Sequence, residues 1–307
     1  MKSVLTIVLI SFGFFGYSQE QPFTSSEVSI TKIIDGTLVT PTSKTNTLAI
    51  IIAGSGPTDR DGNQNFMKTN NLKKLAENLS KNGIATFRYD KRTVKQIRKG
   101  NIDPNIKFDD FINDAIAVVG FFKKQSSYDK IYIIGHSQGS LIGMMAAKQD
   151  VDGFISISGA GQPIDDVIIE QVQKTAPMFT EDAKRVFGVL KKGKTTSDYP
   201  AALASVFDIS IQPFMANWMQ YNPQEEIKAL EIPTLIINGT KDLQVSIAEA
   251  NLLNDAAKNS ELKVIEKMNH VLFIIEGDEQ ENAKSYNDHA GKVSEELIKS
   301  IVNFIKK

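Results

Sequence analysis

Short, unbroken apolar runs recur along the chain, each closed by glycine or polar residues and most followed by a stretch of helical spacing. Thr47–Ala53, Ile84–Asp90, Lys130–Ile134, Val151–Ser158, Ile232–Ile237 and Glu261–Ile265 are brief and rich in β-branched residues. This pattern predicts strands buried on both faces of a sheet. Amphipathic stretches fall between them: Asn71–Asn82 ahead of Gly83, Phe108–Lys124, Gln138–Lys148 and a closing helix over Val293–Lys307. Strand and helix alternate, so the sheet should be mostly parallel and the fold class α/β. Only Glu27–Ile34 and Gly36–Pro41 alternate apolar and polar residues, around Asp35-Gly36, which predicts a half-exposed hairpin of edge strands.

The alternation stops at about Gln162. From there to Glu231 the chain is helical in pattern, is broken at Pro177, Gly193–Pro200, Pro213 and Pro223, and carries no buried strand. The pattern predicts a helical lid, residues 162–231, inserted into a core built from 22–161 and 232–307. Phe214, Met215, Trp218 and Tyr221 lie at helical spacing as the packing face of that lid, and Trp218 and Phe214 are candidates to line a substrate pocket. At the other end, Met1-Lys2, the apolar stretch Val4–Gly16 and the small residues Gly16 and Ser18 have the layout of a secretory signal cut after Ser18. The mature protein is therefore expected to be exported, periplasmic or secreted, without a membrane anchor.

Composition narrows the partners more than the fold. Of the 307 residues 41% are hydrophobic and 23% charged, with a net charge of −1, so no basic stripe offers itself to nucleic acid. Small, roughly neutral molecules fit better. The absence of cysteine excludes disulfides, thiolate nucleophiles, cysteine-based zinc sites and a lipid-bearing cysteine.

The candidate chemistry gathers where apolar runs end. Gly135-His136-Ser137-Gln138-Gly139 stands between a buried strand and a small-faced helix, the context of a nucleophile elbow that lifts a serine hydroxyl out at the sheet's carboxyl edge. A serine needs a base and the base needs an orienting acid. There are three histidines. His136 lies inside the elbow and is a tentative substrate contact, and His289 sits in a charged stretch. His270, in a post-strand loop, is the candidate base. Asp242, in a loop one strand earlier, is the candidate acid, and the chain order serine, acid, histidine is the one this elbow type uses. An ester-cleaving serine also needs two backbone N–H groups for the developing oxyanion. Gln138 supplies one candidate, and Ser55 or Gly56, in the loop Gly54–Gly62, the other. Asp59, Arg60 and Asp61 form a local ion cluster rather than a metal site, and Arg88-Tyr89-Asp90-Lys91-Arg92 is expected to be a salt-bridged structural anchor.

Gly54-Ser55-Gly56-Pro57 with Asp59-Arg60-Asp61-Gly62, Gly135 to Gly139, Asn238 to Val245 and Asn269-His270 together resemble the α/β-hydrolase superfamily. Within it they are similar to secreted bacterial carboxylesterase-like members grouped with the serine aminopeptidase-type hydrolases. The resemblance implies an eight-stranded core, the triad Ser137, Asp242 and His270, an oxyanion hole at Ser55 and Gln138, and no metal or organic cofactor. Many members open the oxyanion loop with His-Gly, where this chain has Ala53-Gly54. The expected activity is hydrolysis of small carboxylic esters of short to medium acyl length through an acyl-enzyme. Peptide or other amide cleavage is the alternative; it would call on lid acids such as Asp165, Asp166, Glu170, Glu225 or Glu226 to hold an amine. A non-catalytic binding protein on the same fold is the third reading.

Overall fold

A computed structural model describes residues 22–65 and 67–307, so the expected signal segment 1–18 lies outside the described residues. Eight strands form one sheet: β1 (Phe23–Ser29), β2 (Asp35–Pro41), β3 (Thr47–Ile52), β4 (Ala85–Tyr89), β5 (Lys130–His136), β6 (Gly153–Ile157), β7 (Thr234–Gly239) and β8 (Ser260–Ile265). Their spatial order is β1-β2-β4-β3-β5-β6-β7-β8. From β4 to β8 every pairing is parallel, and only β1 and β2 run antiparallel to their neighbours.

The apolar runs alternate faces as a pleated strand demands. In β3, Leu48, Ile50 and Ile52 enter one core layer while Ala49 and Ile51 enter the other. The first layer is closed by α3 (Phe108–Gln125) and α4 (Gln138–Ala147). The second is closed by α1 (Asn71–Lys81) and α12 (Glu295–Ile305), through Leu72, Leu75, Leu79, Leu297, Ile301 and Phe304. Two further helices escaped the sequence pattern, α2 (Arg92–Arg98) and α11 (Glu279–Ser285), and both are short and largely polar. The remaining core helix, α10 (Ile247–Ala256), fills the β7 to β8 crossover.

The hairpin expectation needs correcting. Ser29 pairs with Asp35 and Val28 with Gly36, so the turn occupies residues 30–34 and Gly36 is already inside β2. Thr31 makes that turn by accepting the N–H groups of Ile33 and Ile34 on its hydroxyl, while Ile34 enters the core. Nor is β2 an edge: its far side pairs with β4, and Gly36 lies under the Phe87 ring, where a Cβ would come within 2.3 Å. Tertiary packing has overridden a local turn signal.

Between β6 and β7 the chain leaves the sheet for α5 (Ile164–Thr175), α6 (Thr180–Leu190), α7 (Ala204–Phe207), α8 (Gln212–Trp218) and α9 (Pro223–Lys228). This insertion has a small core of its own, around Val186, Phe187, Leu190, Phe207 and Met215. It docks on α3: the Trp218 ring stacks on Phe108 at 5.2 Å, and Phe214 meets Phe111 edge-on at 5.6 Å. The Tyr221 hydroxyl donates to Asp109 (2.5 Å), whose own N–H donates to Asn217 (3.0 Å).

Candidate active site

Ser137, between β5 and α4, has φ 54° and ψ −124°, a positive-φ backbone conformation that a non-glycine residue adopts only where its surroundings hold it there. The surroundings are visible. A Cβ on Gly135 would come within 2.3 Å of the Gly139 carbonyl, and one on Gly139 within 2.3 Å of the Ile52 carbonyl. Strand and helix thus approach as closely as backbones allow, and the serine is what projects from the crossing.

The other two members of the expected triad converge on the same edge of the sheet. His270, in the loop after β8, is buried, and its Nδ1 lies 2.8 Å from Asp242 Oδ2 and 3.1 Å from Oδ1. Asp242 follows β7 and also accepts the N–H groups of Gln244 (2.8 Å) and Val245 (2.9 Å). Burial pushes the Asp242 carboxyl up, but the His270 charge and hydrogen bond and these two backbone donors outweigh it, so the group sits below the usual carboxylate range. The His270 loop is pinned by Asn269, fully buried, whose amide donates to Asn282 and Ser285 and accepts the Phe273 N–H. With Nδ1 on Asp242, His270 has Nε2 left for the cleft it shares with Ser137. No hydrogen bond joins Ser137 Oγ to His270 in this conformation, among the described residues; such contacts commonly tighten only when substrate is bound.

His136, the tentative substrate contact, lines the smaller of the two cavities that meet at Ser137. Its Nε2–H donates to the His270 carbonyl (2.8 Å) and its ring lies 4.9 Å from the His270 ring. Since a carbonyl can only accept, the neutral Nε2–H tautomer is fixed. Burial foremost, then the neighbouring His270, lowers its pKa to about 4, against the weaker upward pull of that hydrogen bond and of Asp242.

Two cavities meet at Ser137. One, of about 70 Å³, is lined by Thr58, Gln64, Asn71, Gln244, His270 and Tyr286 together with the apolar Met67, Leu72 and Val271. The other, of about 270 Å³, has mostly apolar walls from Leu141, Ile164, Val167, Ile168, Val206 and Trp218. Ser55 and Ser137 line both, and Gln138 lines the larger. Trp218 therefore packs on the core and faces the cleft together. Phe214 is a correction: it is wedged between Phe108, Phe111 and Trp218 and lines neither cavity, because its position on α8 turns it to α3.

The ion cluster expected at Asp59 to Asp61 is a network closed on itself. Arg60 pairs with Glu27 and Asp90, Arg88 with Asp61, and Asp59 accepts the N–H groups of Asp61 and Asn63. Among the described residues, no group of three or more His, Cys, Asp or Glu side chains could hold a metal. The five acids considered for binding an amine line neither cavity at Ser137. Asp165 pairs with Lys191, Glu226 with Lys148, and Glu170 accepts from Gln162.

One residue escaped the sequence reading. Within the expected salt-bridged anchor, Lys91 forms no ion pair among the described residues: its Nζ donates to the Gly54 carbonyl (2.6 Å) and to Gln138 Oε1 (2.6 Å), with the Gly56 carbonyl at 3.3 Å. The only sequence signal was its place at the carboxyl end of a buried strand.

A family model described as "Serine aminopeptidase, S33" matches residues 67–208, a segment that holds Ser137 but not Asp242 or His270. Esterase EstD of Thermotoga maritima is 26% identical over 235 residues, 74% of this chain and 55% of that protein, so the chain spans about half the length of the curated relative it matches. Among solved structures, Est1E from Butyrivibrio proteoclasticus is similar with a TM-score of 0.58 and 18% identity, covering 92% of this chain and 99% of that one. An esterase of Pyrococcus furiosus has a TM-score of 0.58 at 16% identity, covering 97% and 94%. At such identities what is shared with the solved structures is the fold.

Proposed function

We propose that this chain, which has the α/β-hydrolase fold, is a serine hydrolase of small carboxylic esters working through an acyl-enzyme. The observation that carries the reading is the His270 ring held by Asp242 at Nδ1 (2.8 Å) with Nε2 free toward the cleft it shares with Ser137. His270 takes the Ser137 proton as the hydroxyl attacks the ester carbonyl, and the imidazolium is steadied by Asp242. The N–H groups of Gln138 and Ser55 receive the oxyanion. The proton on Nε2 passes to the leaving alkoxide, and a water activated by the same nitrogen then releases the acid. Esters are favoured over peptides with a free amine because the side chains lining the two cavities include no carboxylate to meet an ammonium group. The esterase names among the similar proteins point the same way.

The leaving alcohol receives its proton from His270, so it must lie on the side of Ser137 that His270 lines, the smaller cavity of about 70 Å³. That cavity has about a quarter of the volume of the other, so the alcohol side takes the smaller group. The acyl group then extends into the apolar cavity of about 270 Å³ beneath the helical insertion, which acts as a lid. Methyl octanoate and heptyl acetate are isomers that put the long chain on opposite sides of the same bond. The first should be the better substrate, with turnover abolished in Ser137→Ala. Preference for heptyl acetate would reverse the two subsites, and turnover of neither, or turnover surviving in Ser137→Ala, would end the esterase reading.

The apolar stretch Val4–Gly16 after Lys2 supports export of the enzyme. N-terminal sequencing of the mature protein should begin at Gln19; a mature chain that retains Met1 would refute it.

A further inference from the structure

We propose that Lys91 is a positioning residue of the oxyanion site, its side chain holding the Gly54–Ser55 peptide and the Gln138 side chain so that both backbone donors are set before substrate arrives. The proposal rests on the ester-hydrolase reading.

Lys91 lies between β4 and α2 and is only 4% exposed. Its amine reaches acceptors on both halves of the oxyanion site, Gly54 and Gly56 on the loop and Gln138 on the elbow. The Phe111 ring lies 4.7 Å from Nζ. The neighbouring charges are all engaged elsewhere: Arg88 by Asp61, Asp90 by Arg60 and Arg98, Arg92 by Asp110 and Asp114. An ammonium buried without a counter-ion is costly, and burial lowers its pKa to about 7. A lysine amine buried without a counter-ion against a cleft calls for a functional reason.

Peptide geometry supplies one. There is no cis peptide bond among the described residues, and in a planar trans peptide the C=O and N–H point in opposite directions. With the Gly54 carbonyl held on Lys91, the Ser55 N–H must face away from Lys91, and Ser55 lines both cavities that meet at Ser137. The Gly56 N–H belongs to the next peptide unit, whose carbonyl is held instead by Thr58 (2.6 Å) and Gln64 (3.0 Å). Lys91 thus selects Ser55 as the second oxyanion donor. Hydrogen-bonding its carbonyl to an amine, all the more to an ammonium, also polarises that peptide and strengthens its N–H as a donor. The bond to Gln138 ties the same nitrogen to the residue that carries the first donor.

The test compares Lys91→Met and Lys91→Gln with wild type, using p-nitrophenyl butyrate and counting active sites by fluorophosphonate titration. Loss of preorganised oxyanion donors should lower kcat per titrated site about 100-fold in Lys91→Met, with KM changed less than about threefold. A trifluoromethyl ketone inhibitor, which forms an oxyanion on Ser137, should lose affinity by a similar factor. Lys91→Gln, which keeps a neutral donor, should recover part of both. If kcat per site in Lys91→Met stays within about threefold of wild type, Lys91 is scaffold and the proposal falls. Should neither variant fold, Gln138→Leu removes the elbow-side acceptor of Lys91 while keeping the Gln138 N–H. A kcat loss of about fivefold or more at unchanged KM then supports the proposal, and wild-type kcat overturns it. Wild-type protein inert on all esters would sink the esterase reading by itself, before any variant is made.

Discussion

Lowering the pH from about 7 toward 4 should destabilise the folded chain through His136, by an amount that follows from its surroundings. The ring is 7% exposed, its Nε2–H is spent on the His270 carbonyl, and its folded pKa is about 4 against an ordinary 6.5. The folded value is the lower one, so between the two the unfolded chain binds the proton more readily and stability falls as pH falls. The loss is complete below the folded value at about 3 kcal/mol, and at about pH 4.5 it has reached about 2.5 kcal/mol. Urea unfolding of wild type and His136→Gln, at several pH values between about 7.5 and 4.5, isolates the effect. Glutamine can keep a donor near the His270 carbonyl but does not titrate in that range. Shifts at Asp242, Asp59 and Asp114 act in both proteins and largely cancel in the difference. The stability of wild type relative to the variant should therefore fall by about 2.5 kcal/mol from the neutral to the acidic end. A gap constant to within about 0.5 kcal/mol would show that His136 is not held neutral by the fold, and the argument for its tautomer would go with it.

Asp242→Asn should leave the fold intact and cut kcat by about 10³- to 10⁴-fold in p-nitrophenyl ester assays, because an amide cannot favour the His270 tautomer that leaves Nε2 basic; a loss under tenfold would remove Asp242 from the triad. Gly139→Ala should abolish soluble expression or cost several kcal/mol in urea unfolding, since its Cβ would meet the Ile52 carbonyl at 2.3 Å and the Ala53 carbonyl at 2.7 Å. Gly120→Ala, inside α3 with no atom within 4 Å of the added carbon, should instead stabilise by about 0.5–1 kcal/mol, and a destabilised variant would show that something unseen touches that face. Phe108→Ala removes a buried ring stacked on the only tryptophan, so it should cost about 3–5 kcal/mol and shift Trp218 emission to the red; unchanged emission would contradict the stacking.

The elements most legible in the sequence were those whose pattern has a single physical cause. A short, β-branched apolar run closed by glycine, such as Lys130–Ile134, reads as a doubly covered strand, and Gly135-x-Ser137-x-Gly139 marks a crossing where only glycine leaves room. Asp242 and His270 followed because a parallel sheet gathers its post-strand loops at one edge. The Asp35-Gly36 turn failed for the opposite reason. A two-residue turn is a weak local preference, and the pairing of β2 with β4 under Phe87 overrode it. Phe214 failed because helical spacing reveals an apolar face but not what it meets. Lys91 was hidden most completely: in a run of charges Arg88, Asp90 and Arg92 do what charges usually do, and nothing in the one-dimensional order says that the lysine among them turns inward.

In the proposed reading, the chemistry and the choice of substrate rest on different parts of the molecule. Ser137, Asp242 and His270 stand at the ends of β5, β7 and β8, each fixed by core contacts: the glycine crossing, the Gln244 and Val245 N–H groups, and the Asn269 anchor. The apolar cavity, by contrast, takes Ile164, Val167, Ile168, Val206 and Trp218 from an insertion with its own small core. That insertion meets α3 through an aromatic stack and two hydrogen bonds at Asp109, and its α9 sends Ile227 into the main core. On the proposed reading, changes of packing within the insertion should reshape this cavity more than the triad, which stands on the sheet edge. Chain-length preference should accordingly vary with residues of the insertion, and the rate of the acyl-transfer step with residues of the sheet edge.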